Sequence, residues 1–212
     1  MTRAMPSCVH GAMLATGPDR KPVRSRSMFS YHLAELPART SAYAMARPPL
    51  ASQVPGLLYA EALAYMQLGS PTVSPQRMQL RRFAYFARWQ DEDALDRFLE
   101  SHRLGVALST GWHVRMEFLR RYGMLACLPD LPVRAGDWDT AEPAVAVTLA
   151  RLKLPQLPRF LKWGKPVERL VLSHPGTTLA LAAMRPPGNF STFSIWRSIE
   201  EMTAMVHGHS DV

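Results

Sequence analysis

Five histidines lie in the C-terminal two-thirds of the chain: His102, His113, His174, His207 and His209. Imidazole can ligate a metal or move a proton near neutral pH, so these residues are weighed first. No two of them stand at the i,i+4 spacing that sets two imidazoles on one helix face for zinc. Trp112, Trp163 and Trp196 are suited to line a hydrophobic ligand cavity. Met116, Met184, Met202 and Met205 are soft enough to follow a flexible apolar ligand. Ordinary core packing explains the same tryptophans and methionines. Other chemistries lack their residues: there is no G-x-S-x-G elbow, P-loop, G-x-G-x-x-G or H-E-x-x-H. The two cysteines, Cys8 and Cys127, are too few for a disulfide scaffold and lack zinc spacing, which points to a reducing, cytoplasmic setting.

The elements that would position these residues can be read from Arg77 onward. The segment 77–89 alternates as a strand with aromatics on both faces. Asp91 caps a helix whose face is Leu95, Phe98, Leu99 and His102, and Gly105 follows it. A second strand, 111–123, sets Trp112, Val114, Met116 and Phe118 on one side and His113, Arg115 and Glu117 on the other. If the Trp112 side is core, His113 points away from it. A loop containing Trp138 spans 127–143, and a strand follows at 144–153. Pro155, Pro158 and Pro166 divide 154–175 into helical pieces, with Pro166 opening the second. Strands at 177–184 and 190–196 flank a turn at 186–189, and a capping box, Ser198 with Glu201, starts the last helix. The order β-α-β-β-α-β-β-α predicts an α+β ferredoxin-like sandwich over 77–212, an antiparallel sheet with helices on one face. The open face then calls for a homodimer.

The 212 residues are 47% hydrophobic and 20% charged, which excludes full-length disorder, collagen and a coiled-coil rod. No run of 18 apolar residues occurs, so no membrane span is expected, and the first residues lack the apolar core of a secretory leader. Residues 1–76 hold seven Lys and Arg against three Asp and Glu, and nine of the 18 prolines. This reads as a disordered basic tail with a short helix near 57–68, ended by Gly69. A basic arm for nucleic acid or an anionic surface and a merely solvated tail both fit residues 1–50. Beyond the tail the cations are scattered rather than interleaved with stacking aromatics, so no nucleic-acid partner is expected.

The run Pro175-Gly176-Thr177-Thr178-Leu179-Ala180-Leu181-Ala182-Ala183-Met184, then Ser191-Thr192-Phe193-Ser194-Ile195-Trp196-Arg197-Ser198, resembles the spheroidene monooxygenase family and its bacterial relatives. The segments 80–89 and 202–209 are similar to the same pattern. The resemblance implies a dimeric α/β barrel and a monooxygenase that uses dioxygen on an apolar, carotenoid- or terpenoid-like substrate, with haem as cofactor. For such a substrate the residue types make Trp112, Trp163, Trp196, Met116 and Met184 the expected pocket. The implied haem makes His207, then His113, the candidate axial ligands, and Arg81, Arg82 and Arg115 candidate partners of the haem propionates. His207 is also explained by the favourable field at a helix C-terminus. Relatives continue past the position of His209 with a polar segment, which implies a C-terminally truncated chain. Alternatives of the same fold are a cofactor-free oxidase and a non-enzymatic ligand-binding or structural dimer.

Overall fold

In Met28–Glu35, Phe29, Tyr31 and Leu33 alternate with Ser30, His32 and Ala34, and nearly every position on both faces is covered. A strand with two covered faces needs a packed layer on each side, and the architecture supplies both. The computed structural model of the protein describes residues 8–15, 28–71, 74, 77–123 and 128–207. The strands are β1 (Cys8–Ala15), β2 (Met28–Glu35), β3 (Leu57–Met66), β4 (Gln79–Trp89), β5 (Trp112–Tyr122), β6 (Ala144–Arg151), β7 (Thr177–Arg185) and β8 (Asn189–Trp196). The helices are α1 (Ala38–Ala46), α2 (Glu92–Ser101), α3 (Arg103–Ser109), α4 (Leu157–Ser173) and α5 (Ile199–His207). The strands close into one antiparallel barrel in the order β1-β5-β2-β4-β3-β7-β8-β6, with the helices outside it.

The barrel is two ferredoxin-like units in one chain. The first, β2-α1-β3-β4-α2-α3-β5, has the split βαβ order β5-β2-β4-β3. The second, β6-α4-β7-β8-α5, has the order β1-β6-β8-β7 and takes its fourth strand from the chain's N-terminus. The α+β class and antiparallel sheet agree with the sequence reading. The closure that reading gave to a second copy is made within one chain.

Three expectations are corrected. The segment expected to be a helix near 57–68 is β3, which pairs with β4 from Leu57↔Trp89 to Tyr65↔Gln79. Its Ala, Leu and Glu favour helix locally, but sheet pairing and burial on both faces outweigh propensity. Gly69 has φ 78°, the left-handed geometry of a helix-ending glycine, used here in a turn after a strand. Second, the described part of the supposed disordered tail supplies β1, β2, α1 and β3, so 77–212 is not a separate sheet: β2 lies between β4 and β5. Third, 157–173 is one helix with Pro158 in its first turn and Pro166 inside it. Gly105 does not end a helix. It lies in α3, where a Cβ would stand 1.8 Å from the Phe98 carbonyl oxygen, so only glycine allows α3 to turn against α2. The expected caps are present: Ala94 N donates to Asp91 Oδ1 (2.8 Å) and Glu201 N to Ser198 Oγ (3.0 Å). No described helix is long and apolar enough to cross a membrane.

Candidate active site

Strand alternation sends one set of side chains into the barrel. They include Phe29 and Tyr31 of β2, Leu63 of β3, Phe86 of β4, Met116 and Phe118 of β5, Val145 and Val147 of β6, and Phe193 of β8. The rings meet across the interior, Tyr31 and Phe193 at 4.3 Å between centroids and Phe29 and Phe86 at 5.8 Å. Trp112 stands at the rim, 41% exposed and edge-on to Phe193 at 5.9 Å. At the other end Leu128 and Leu131 join the interior cluster, and Arg88 reaches Asp130 through two hydrogen bonds of 2.7 and 2.8 Å. That guanidinium holds the Asp130 carboxyl below its usual range.

Two polar groupings interrupt this apolar interior. Tyr31 Oη and Ser191 Oγ are buried without a hydrogen-bond partner of good geometry. Burial pushes the Tyr31 hydroxyl well above the usual tyrosine range; nearby Ser191 works against that and the Tyr65 phenol slightly with it. Tyr31 is therefore a neutral phenol with a proton to donate. The second grouping surrounds Glu61, which is level with Tyr31 across β4, since both pair with Phe86. Strand spacing sets their Cα atoms roughly 10 Å apart. Glu61 accepts from Tyr59 Oη (2.6 Å), Arg185 (2.7 Å) and Asn189 Nδ2 (3.1 and 3.2 Å). β3 and β7 pair only from Ala64↔Met184 to Met66↔Ala182, and this cluster bridges them beyond that ladder.

The residues expected at the site divide by strand face. Met116 is fully buried inside the barrel and Trp112 marks its rim. Trp196 faces outward beneath α5, packed with Ile199 and Met202, its Nε1 donating to Ser194 Oγ (2.9 Å). Met184 also faces outward, paired with Ala64 of the outer layer. The side chains of Trp163 and His207 lie outside what the structure describes, as does all of His209.

His113 and Arg115 are turned away from the interior. His113 stacks on His32 at 5.2 Å, and Arg115 is bound by Asp96 (2.5 Å) and Glu92 of α2. Those two carboxylates hold the Arg115 pKa up against the opposing effect of its burial. Burial lowers the His113 pKa, helped by Arg115 and opposed by Asp96. His32 is covered completely, and neither of its ring nitrogens has a partner. Burial, then the charges of His113 and Arg115, push its pKa down to about 3.

The donor set decides how a haem would fit. Among the described side chains no histidine faces the barrel interior, because His32 and His113 alternate with the inward Tyr31, Leu33, Trp112 and Val114. His102 caps α3 with Nδ1 accepting from Leu104 N, and His174 packs on Trp196 outside the barrel. Arg115, expected on a propionate, already has two carboxylates. The described side chains therefore offer no imidazole to a haem inside the barrel, and no group of three or more His, Cys, Asp or Glu among the described residues could hold a metal ion.

Sequence reasoning missed Tyr31, Ser191, Glu61, Arg185 and Arg88. The signal for Tyr31 was the alternation in Met28–Glu35, within the segment read as disordered. Arg88 and Glu61 were legible only as charges at inward positions.

No family model and no curated protein matches the chain. Among solved structures it is similar to a candidate monooxygenase from Fusobacterium nucleatum, with 9% identity, 87% of this chain and 82% of that one covered, and a TM-score of 0.32. A candidate monooxygenase from Lactobacillus acidophilus shares 9% identity over 86% and 82% of the two chains, with a TM-score of 0.30. An anthrone oxidase-like protein shares 11% identity over 85% and 77%, with a TM-score of 0.28. Likeness at this level assigns no activity to the chain.

Proposed function

We propose that the barrel interior binds an apolar substrate and oxygenates it with dioxygen. The observation that carries this reading is a pair of buried hydroxyls, Tyr31 and Ser191, that neighbour each other and make no hydrogen bond of good geometry in an aromatic-walled interior. Buried polar groups are nearly always satisfied, so two orphans side by side mark where a ligand oxygen, or ordered water in its absence, would sit. The surrounding rings suit a flat conjugated skeleton, polyene or fused ring. A carbonyl oxygen on that skeleton accepts from Tyr31 Oη. The bond strengthens as charge builds on the oxygen while a methylene conjugated with it loses a proton, both methylene hydrogens ending in the water formed, and the dry surroundings enhance it. An activated methylene supplies all the electrons: CH2 and O2 become C=O and H2O, one oxygen atom entering the product and the other leaving as water. No step is routed through haem.

One observation favours a second reading, in which the barrel binds without turnover. Glu61 is the carboxylate among the described interior side chains, and donors from Tyr59, Arg185 and Asn189 already occupy it. An oxygen electrode separates the two. With anthrone, a tricyclic ketone with an activated methylene, the oxygenase reading expects uptake above the autoxidation blank and a fall of at least tenfold in Tyr31→Phe. Saturable binding without uptake would establish the second reading instead.

A further inference from the structure

Helix α4 is attached to the barrel along only part of its surface. Val171 packs against the layer of Trp196, Ile199 and Met202. Nearer its middle the covering runs out: Val167 is 54% exposed, and a Cβ on Gly164 would meet nothing within 4 Å. The helix repeats apolar residues at helical spacing, Phe160, Trp163, Val167 and Leu170. A second exposed apolar residue, Leu172, is 48% exposed.

The charge on this helix has one sign. It carries Arg159, Lys162, Lys165 and Arg169 against a single acid, Glu168. Glu168 is already taken: Arg77 pairs with it, NH1 at 3.1 Å, and Gly69 N donates to it at 3.2 Å. Both members of that ion pair are largely buried, so it neutralises Glu168 and fixes the helix to the β3–β4 connection. Lys165 and Arg169 are exposed and make no ion pair among the described residues. Helix α2 has the opposite balance, with Glu92, Asp93, Asp96 and Glu100 against Arg97. A helix with Val167 exposed on its apolar stripe and two exposed cations, Lys165 and Arg169, outside any ion pair among the described residues has the composition of one that lies in a bilayer interface.

We infer that α4 docks the protein on an anionic lipid bilayer, its apolar stripe entering the headgroup region and its lysines and arginines meeting lipid phosphates. Charge complementarity selects this occupant. The docking goes beyond the reaction assigned to the barrel and does not depend on it. It would let a substrate dissolved in lipid be collected at the surface.

The test is co-sedimentation of the full chain with vesicles of phosphatidylcholine alone, or of phosphatidylcholine with phosphatidylglycerol, at low and high salt. Binding is expected only to the anionic vesicles and is expected to weaken in high salt. A juxtamembrane cation contributes about 1 kcal/mol, so K165E/R169E should weaken binding roughly 30-fold or more. Val167→Ser, which keeps every charge, should weaken it less but measurably. Equal binding to neutral and anionic vesicles would overturn the inference. So would no binding at all, or binding unchanged in both variants, which would move the contact to another segment. Self-association that both variants abolish, with no affinity for vesicles, would instead assign the helix to a second copy of the chain.

Discussion

His32 makes the protein's stability depend on pH in a way that a single substitution should remove. In the folded state its pKa is about 3, against 6.5 for an ordinary histidine, because the ring is buried, both nitrogens lack partners, and His113 and Arg115 face it. Tyr85 lies 6.1 Å away, and Asp96 and Glu92 of α2 are engaged with Arg115. The folded state therefore binds fewer protons than the unfolded one between these two values. Stability is fully present above about pH 6.5 and declines as pH falls toward 3. The slope from this residue is about 1.4 kcal/mol per pH unit. At pH 5 the loss is about 2 kcal/mol, or a Tm roughly 4–8 °C lower than at pH 7.5 for a chain of this size. His32→Phe keeps a ring of similar size and removes the orphaned nitrogens. It should be near neutral at pH 7.5 and should flatten the decline. His102 and His113, whose pKa values burial also lowers, leave a residual slope, so the comparison is between the two curves. Thermal unfolding by circular dichroism across pH 4–8 reads it. Parallel curves for the two proteins would refute the assignment of a buried, neutral His32.

Three further outcomes follow from the packing. Gly105→Ala places a methyl against the Phe98 carbonyl and should cost roughly 3–5 kcal/mol, read by urea unfolding. Glu61→Gln leaves the Arg185 guanidinium without its carboxylate and should cost on the order of 3 kcal/mol in the same assay. Deleting residues 1–15 removes β1 from between β5 and β6 and exposes two strand edges, so the shortened chain should aggregate or lose its cooperative transition. A sharp, unshifted melt of that chain would contradict the closed barrel.

The sequence was most legible where local chemistry and tertiary context agree. Asp91 and Ser198 cap helices as their types suggest, and the β7–β8 hairpin follows from its flanking alternation and its Pro-Pro-Gly-Asn turn. It was least legible in the first 76 residues. There Leu57–Met66 has the composition of a helix and becomes a strand because β4 pairs along its length and side chains cover both faces. Missing β2 and β3 moved the first ferredoxin-like unit out of view and left a second copy to do what the same chain does.

Site residues failed for a related reason. Alternation in β5 separates Met116 from His113 and Arg115 correctly, but it cannot say which face is lumen when both are covered. The same ambiguity grouped Trp196 and Met184, which lie in the outer layer, with the inward Met116. Tyr31 and Ser191 belong to different units, 160 positions apart in sequence, and only the register of the closed barrel brings them together.

The account turns on whether a substrate reacts with dioxygen beside Tyr31. The most direct measurement is mass spectrometry of anthrone products formed by the full chain under 18O-labelled dioxygen, with Tyr31→Phe in parallel. The predicted result is one heavy oxygen atom in the product, formed above the blank rate by the unaltered protein and at least tenfold more slowly by the variant. Product oxygen drawn from water, or equal rates for the two proteins, would contradict it.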